Sequence, residues 1–246
     1  MIVIAHLSDP HLDASARSNE RAERVMRYLE AAPVPADAIV VTGDITDHGK
    51  PEEYEAAARI FVSSVPVLLV PGNCDSRTSF RAGLLNQPAS EAPINRIVST
   101  ERADYLLLDS SIPKRHDGHL DDTTLAWADT ALGSSNERPA FLAFHHPPVE
   151  VHAHQVDRIR QFEEHRLAAL MERHPRIAAV MVGHAHTPCI TTFAGRPLLV
   201  GPGIDSTLVL PWEHGDDDVS PDAPPALAFH LLDEGGRITT HIRFVP

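Results

Sequence analysis

Five short motifs gather the residue types that bind metal or move protons: Asp9-Pro10-His11, Gly43-Asp44-Ile45-Thr46-Asp47, Gly72-Asn73-Cys74-Asp75, His145-His146-Pro147-Pro148 and Gly183-His184-Ala185-His186. Carboxylate, imidazole and amide oxygen are hard to intermediate donors suited to manganese, iron or zinc, with no thiolate required. Singly, each Asp or Asn reads as an ordinary turn or capping residue. Five such motifs in one chain form a balanced ligand set of the kind sought at active sites.

Each motif follows a short apolar run: Val3–Ala5, Ile39–Val41, Val67–Val70, Phe141–Phe144 and Ala178–Val182, with two further runs at Tyr105–Leu108 and Leu198–Val200. Runs apolar on both faces suit strands buried between layers. Helical spacing over Ser18–Ala31, Pro51–Phe61, Leu125–Leu132 and Arg158–Arg173 alternates with them, the second opening on a proline. The alternation predicts an α/β fold of βαβ units whose sheet is covered by helices. Ligands of open α/β sheets lie beyond the carboxyl ends of the strands, so motifs distant in sequence are expected to converge there. Acidic, proline-rich Pro211–Pro225 reads as a loop, and alternating Ala226–Val245 as a hairpin turning near Gly235-Gly236.

The ordered set Asp-x-His, Gly-Asp-x-x-Asp, Gly-Asn-x-Asp, His-His-Pro-Pro and Gly-His-x-His resembles the calcineurin-like metallophosphoesterase superfamily. The Asp-Pro-His-Leu opening, the His-His-Pro-Pro segment and the stretch from His174 to Val180 before Gly183 look most like its bacterial class III cyclic nucleotide phosphodiesterase branch. The resemblance implies a layered α/β/β/α sandwich of two mixed sheets flanked by helices. It also implies one metal ion on Asp9, His11 and His186, a second on Asn73, His145 and His184, and Asp44 as the bridge. A bridging carboxylate offsets the repulsion of two dications, and such a pair generates hydroxide at neutral pH and clamps both oxygens of a displacement at phosphorus. The chemistry itself is assigned to Asp44, Asn73, Cys74 and His146, with His146 beside the metals or the substrate. Asp47 and Asp75 read as orienting or capping carboxylates. Cys74 departs from the family's usual histidine. A neutral thiol is a weak donor, so help to a poor leaving group is expected to be weakened.

A binuclear phosphodiesterase acting on a small phosphodiester, with a 3',5'-cyclic nucleotide leading, is the expected function. No base-stacking or ribose-reading motif separates that substrate from a glycerophosphodiester, an aryl phosphodiester or a phosphomonoester. Alternatives from other classes are a non-catalytic scaffold, which needs no complete ligand set, and a histidine-rich metal store, which would cluster its histidines in a tract.

The 246 residues, 43% apolar and 22% charged, suit a single globular domain over 1–246. A net charge of −13, from 34 acidic and 21 basic side chains, argues against nucleic-acid or anionic-membrane partners. The two cysteines, Cys74 and Cys189, form no disulfide framework, and no apolar run approaches membrane-spanning length, so a cytoplasmic location is expected. The branch resemblance implies a homodimer. Of 16 histidines the motifs use five; His152 and His154 follow Pro148 in a loop that could overhang the site, though solvated loop histidines are the plainer reading. His116 and His119 read likewise as loop residues, Trp127 and Cys189 as packing residues, and Asp216-Asp217-Asp218 as a solvated turn.

Overall fold

In chain order the elements are β1 (Ile2–Leu7), α1 (Ala16–Glu30), β2 (Ala38–Thr42), α2 (Pro51–Ile60), β3 (Val67–Val70), α3 (Arg77–Leu84), β4 (Arg96–Ser99), β5 (Asp104–Leu107), α4 (Asp122–Leu132), β6 (Ala140–Ala143), α5 (His154–Asp157), α6 (Glu164–Arg173), β7 (Ile177–Val182), β8 (Cys189–Phe193), β9 (Arg196–Val200), β10 (Thr207–Leu208), β11 (Val219–Ser220), β12 (Ala226–Leu232) and β13 (Ile238–Phe244). They come from a computed structural model that describes residues 1–133, 137–213 and 219–246. His214 and the Asp216–Asp218 run therefore lie outside the described residues.

Two mixed sheets face each other. One has the order β13-β12-β1-β2-β3, the other β4-β5-β6-β7-β9-β8. In each sheet the central strands run parallel (β1-β2-β3 and β5-β6-β7-β9), while antiparallel strands flank them. Because successive side chains of a strand point to opposite faces, each central strand feeds two cores. Ile4, Val40, Leu68, Phe141, Met181 and Leu199 meet between the sheets, where Tyr105 and Phe141 stack at 5.6 Å. Neighbours Ala5, Ile39 and Val41 pack outward on α1, α2 and α3, and Leu142, Phe144 and Val180 pack outward on α4 and α6. The result is the α/β/β/α sandwich that the family resemblance implied. Trp127 and Cys189 pack against the second of these outer cores.

The parallel strands of both sheets end on the same side, and an isolated parallel bridge from Ser8 to Gly203 ties the sheets together there. Gly183 makes that approach feasible, since a methyl group on it would collide with Ser8 Oγ and the Thr42 carbonyl.

The helix read over Arg158–Arg173 starts only at Glu164. Before it, backbone pairing takes over from helix: Gly118 N donates to Arg160 O, Gln161 N to Pro147 O and Phe162 N to Gly118 O. Helix α3 and edge strands β4 and β8 escape the apolar-run reading because α3 buries only Phe80 and the edges expose alternate or most residues. Inside the 211–225 stretch, β11 pairs with β10, so this segment is not all loop.

Candidate metal centre

The motif residues take up unusual backbone to reach one another. Asp9, His11, Asp44, His184 and His186 all have φ between +42° and +68°, a region that costs non-glycine residues energy and that clusters at functional sites. Backbone bonds hold these turns: Asp9 N donates to Gly43 O at 3.2 Å and His11 N to Asp44 O at 3.0 Å. Each of the two carboxylates is then pinned by one oxygen only. Asp9 Oδ2 accepts from His184 N at 3.0 Å and Asp44 Oδ1 from Cys74 N at 2.8 Å, leaving the second oxygen of each aimed into the cluster.

Two sets of donors face those oxygens. On one side His11 Nε2 and His186 Nε2 stand 3.2 Å apart, with Asp9 Oδ1 at 4.0 and 3.5 Å from them. On the other, His145 Nε2 lies 3.1 Å from both His184 Nδ1 and Asn73 Oδ1. Asp44 Oδ2 stands between the sets, 3.5 Å from His11 Nε2 and 3.4 Å from His145 Nε2.

The remaining ring nitrogens are held from outside the cluster. His11 Nδ1 donates to Asp47 Oδ1 (2.9 Å), His145 Nδ1 to the Thr42 carbonyl (2.7 Å), and His186 Nδ1 pairs with Ser206 Oγ (2.9 Å). Because Asp47 and the Thr42 carbonyl can only accept, His11 and His145 keep a proton on Nδ1 and turn Nε2 inward, the arrangement typical of metal-binding imidazoles. Separations of 3.1–3.2 Å between donors match two ligands on one ion at bond lengths near 2.1 Å.

A metal pair fits these residues. Among the described residues, buried Asp9 Oδ1 and His184 Nε2 have no hydrogen-bond partner, a cost that a bound cation would relieve at the carboxylate. In the metal-free protein, protons take the place of cations. Burial works to lower His145, but Asp44 and Asp9 outweigh it and raise the imidazole to about 9. Burial likewise opposes a charged His11, yet Asp47, Cys74 and Asp44 lift it well above its ordinary value. Burial would raise Asp44, but His145 and His11 hold it well below the usual carboxylate range.

The family profile of calcineurin-like phosphoesterases matches residues 2–188, which include all seven of these donors. The chain belongs to the calcineurin-like phosphoesterase family. It is 31% identical to the glycerophosphodiester phosphodiesterase GpdQ of Enterobacter lignolyticus, over 93% of this chain and 86% of that protein. A 3',5'-cyclic-nucleotide phosphodiesterase of a Nostoc species is 31% identical over 75% of this chain and 71% of its own length. In fold it matches a dimetal phosphatase from Danio rerio with a TM-score of 0.70 at 16% identity, over 100% of this chain and 96% of that one.

Not every motif residue of the phosphoesterase joins the cluster in the same way. His146 is fully buried, its Nδ1 2.8 Å from Ser110 Oγ and its Nε2 3.1 Å from the His116 carbonyl. Both nitrogens are engaged, and the ring packs on His145 and His184 with centroids 4.7 Å from each, the three offering ligand atoms within 4.8 Å of one another. Burial and the neighbouring His145 push it down to about 3, so it stays neutral. Asp75 accepts from the backbone N–H of Ile45, Thr46 and Gly72 and from Tyr54 Oη, bracing the loops that carry Asp44 and Asn73. Cys74 borders the cluster near His11 and Asp44. His152 and His154 are exposed, and His154 lines a cleft with Leu208 and Pro211. Thr42 and Ser206, which orient His145 and His186, carry no signal in the sequence, since a carbonyl and a lone hydroxyl resemble any other.

Proposed function

We propose that the protein is a binuclear-metal-dependent phosphodiesterase that hydrolyses a small phosphodiester. The observation that carries this reading is Asp44 Oδ2, placed 3.5 Å from His11 and 3.4 Å from His145 with a three-residue donor set on either side. Asp9, His11 and His186 would hold one ion, Asn73, His145 and His184 the other, and Asp44 would touch both. Manganese, iron or zinc suits these donors, and such ions supply positive charge at the phosphoryl oxygens and lower the pKa of water.

The chain's own residues keep that centre ordered. Asp47 and the Thr42 carbonyl fix the protons of His11 and His145 on Nδ1, and the neutral His146 backs the rings of His145 and His184. The Enterobacter and Nostoc relatives support a diester substrate. A cyclic nucleotide leads and a glycerophosphodiester is second, the latter favoured by the polar walls (His48, Ser76, Ser111 and Lys114) of a 260 Å³ cavity opening beside Asn73. Residues 1–246 are read as one domain, supported by the single core shared between the two sheets. The two free cysteines support a reducing, cytoplasmic setting. Among the described residues no helix is long and apolar enough to cross a membrane.

The test is metal-depleted protein reloaded in turn with manganese, iron or zinc. It is offered bis(4-nitrophenyl) phosphate, 4-nitrophenyl phosphate, 3',5'-cyclic AMP and glycerophosphoethanolamine. Metal-dependent cleavage that favours the diesters is expected. Preference for the monoester, or equal turnover without metal, overturns the reading.

A further inference from the structure

The cavity beside the cluster contains a histidine that none of the five motifs includes. Its walls bring Asn73 and Cys74 together with His48, Arg77, Glu91 and Lys114. His48 stands on the loop between β2 and α2. Its Nδ1 lies 2.8 Å from Glu53 Oε1, and the Glu53 side chain is 1% exposed. Two backbone N–H groups, those of His48 and Lys50, donate to Glu53 Oε2 at 3.0 and 3.1 Å, so the carboxylate is fixed before it orients the ring. The opposite nitrogen, Nε2, is 3.4 Å from Asp47 Oδ2, and the His48 side chain is half exposed. Asp47 spans the two sites, since its other oxygen holds His11.

Gly49, at φ +67°, lets this loop lie against the loop that carries Cys74: an added Cβ would come within 3.0 Å of Ser76 Cβ and 3.4 Å of the Cys74 carbonyl. Cys74 stands where the family pattern usually has histidine. A thiol is a weak hydrogen-bond donor. The cavity thus has a weak donor at the expected place and a carboxylate-oriented imidazole on an adjoining wall.

We propose that His48, oriented by Glu53, is the general acid of this phosphodiesterase and supplies the leaving group with the proton that position 74 cannot. The proposal rests on the phosphodiester reading above. As the oxygen of the attacking water bonds to phosphorus, the bond from phosphorus to the leaving oxygen breaks and its electron pair stays on that oxygen. The leaving oxygen takes a proton from His48 Nε2. The proton shed by the water passes to solvent, from which the imidazole is recharged, so the net reaction is hydrolysis. The charged and titratable groups around His48 are Glu53 and Asp47 on its own segment and Cys74, Asp75, Arg77, Glu91 and Lys114 across the cavity. Arg77 is committed to Asp109 and the Ser111 carbonyl at 2.8 Å each, which leaves Lys114 as the rival donor.

The experiment compares kcat for bis(4-nitrophenyl) phosphate, whose leaving group needs no proton, with kcat for glycerophosphoethanolamine and other alkyl diesters that do. Wild type, His48→Ala, His48→Ala with Cys74→His, and Lys114→Ala are measured, with metal content and Tm for each. His48→Ala is expected to lower kcat on alkyl diesters by about 10²-fold, the lower end of general acid–base contributions. The loss should fall far more heavily on alkyl diesters than on the aryl diester while metal content is held, and Cys74→His in that background should restore alkyl-ester turnover. An equal loss on both ester classes, no loss, failure of Cys74→His to rescue, or a selective loss in Lys114→Ala instead overturns the proposal. Wild-type turnover of the aryl diester checks the phosphodiester reading separately.

Discussion

Among the described residues, two histidine groups use the same ring in opposite ways. His6 and His230, from β1 and β12, share a contact of 3.0 Å, and their outer nitrogens meet Thr42 Oγ1 and Thr240 Oγ1 at 2.9 Å each. Hydroxyls donate or accept, so complementary tautomers satisfy all four nitrogens and nothing is left to bind. In the cluster of His11, His145, His184 and His186, the outer partners of His11 and His145 are acceptors only, which fixes a proton on Nδ1 and turns Nε2 inward, where a proton or a metal ion must sit. Close N···N distances occur in both groups. The partner behind the ring, not the contact itself, distinguishes a structural pair from a ligand shell.

The most severe way to test this contrast is Asp44→Ala. Activity should vanish and bound metal should fall below about two equivalents per chain, because the shared carboxylate serves both ions; metal analysis with a turnover assay checks this, and full activity would refute the bridge. A milder cut is Asp47→Asn, which keeps the volume but weakens the grip on His11 Nδ1. Metal affinity measured by chelator competition should fall about 10–100-fold, the usual effect of losing an outer-shell partner.

His6→Phe addresses the other group. It strands His230 Nε2 and should cost about 1–3 kcal/mol in urea unfolding while leaving metal affinity unchanged; a drop in affinity would mean that the two groups are not independent. The last prediction concerns pH in the metal-free protein. His145, raised from 6.5 to about 9 in the field of Asp44 against the pull of burial, stabilises the fold fully below 6.5, and this contribution is lost as pH rises through about 9. His230, which burial depresses from 6.5 to about 3, must be neutral to fold, so its contribution is present above 6.5 and is lost as pH falls toward about 3. Urea midpoints over this range should decline at both ends. Metal loading near neutral pH should release protons from His11 and His145, seen as buffer-dependent binding heats.

Much of the site is legible in the sequence. The five motifs stand out because each follows a buried strand, and strand ends on one side of a parallel sheet must lie near one another. The layers are legible for the same reason, since β2, β5 and β6 are buried on both faces. What escapes a sequence reading is exposed or borrowed: β4 and β8 lie on an edge, α3 buries one side chain, and the helix read over Arg158–Arg173 loses everything before Glu164, where the chain pairs with the segments at Pro147 and Gly118. His48 gives no signal in the sequence, because its partner Glu53 lies inside α2 and is brought to the ring by the backbone N–H groups of His48 and Lys50, and only the cavity gives the pair a chemical setting.

The amino-acid sequence alone determined the donor types, their order and the strands that end beside them, because periodicity and turn chemistry are local. Tertiary structure decided which nitrogen of each imidazole faces inward, that His146 is walled in, and that His6 finds a partner 224 residues away. A ring's proton is placed by whatever acceptor lies behind it, and that acceptor comes from a distant part of the chain.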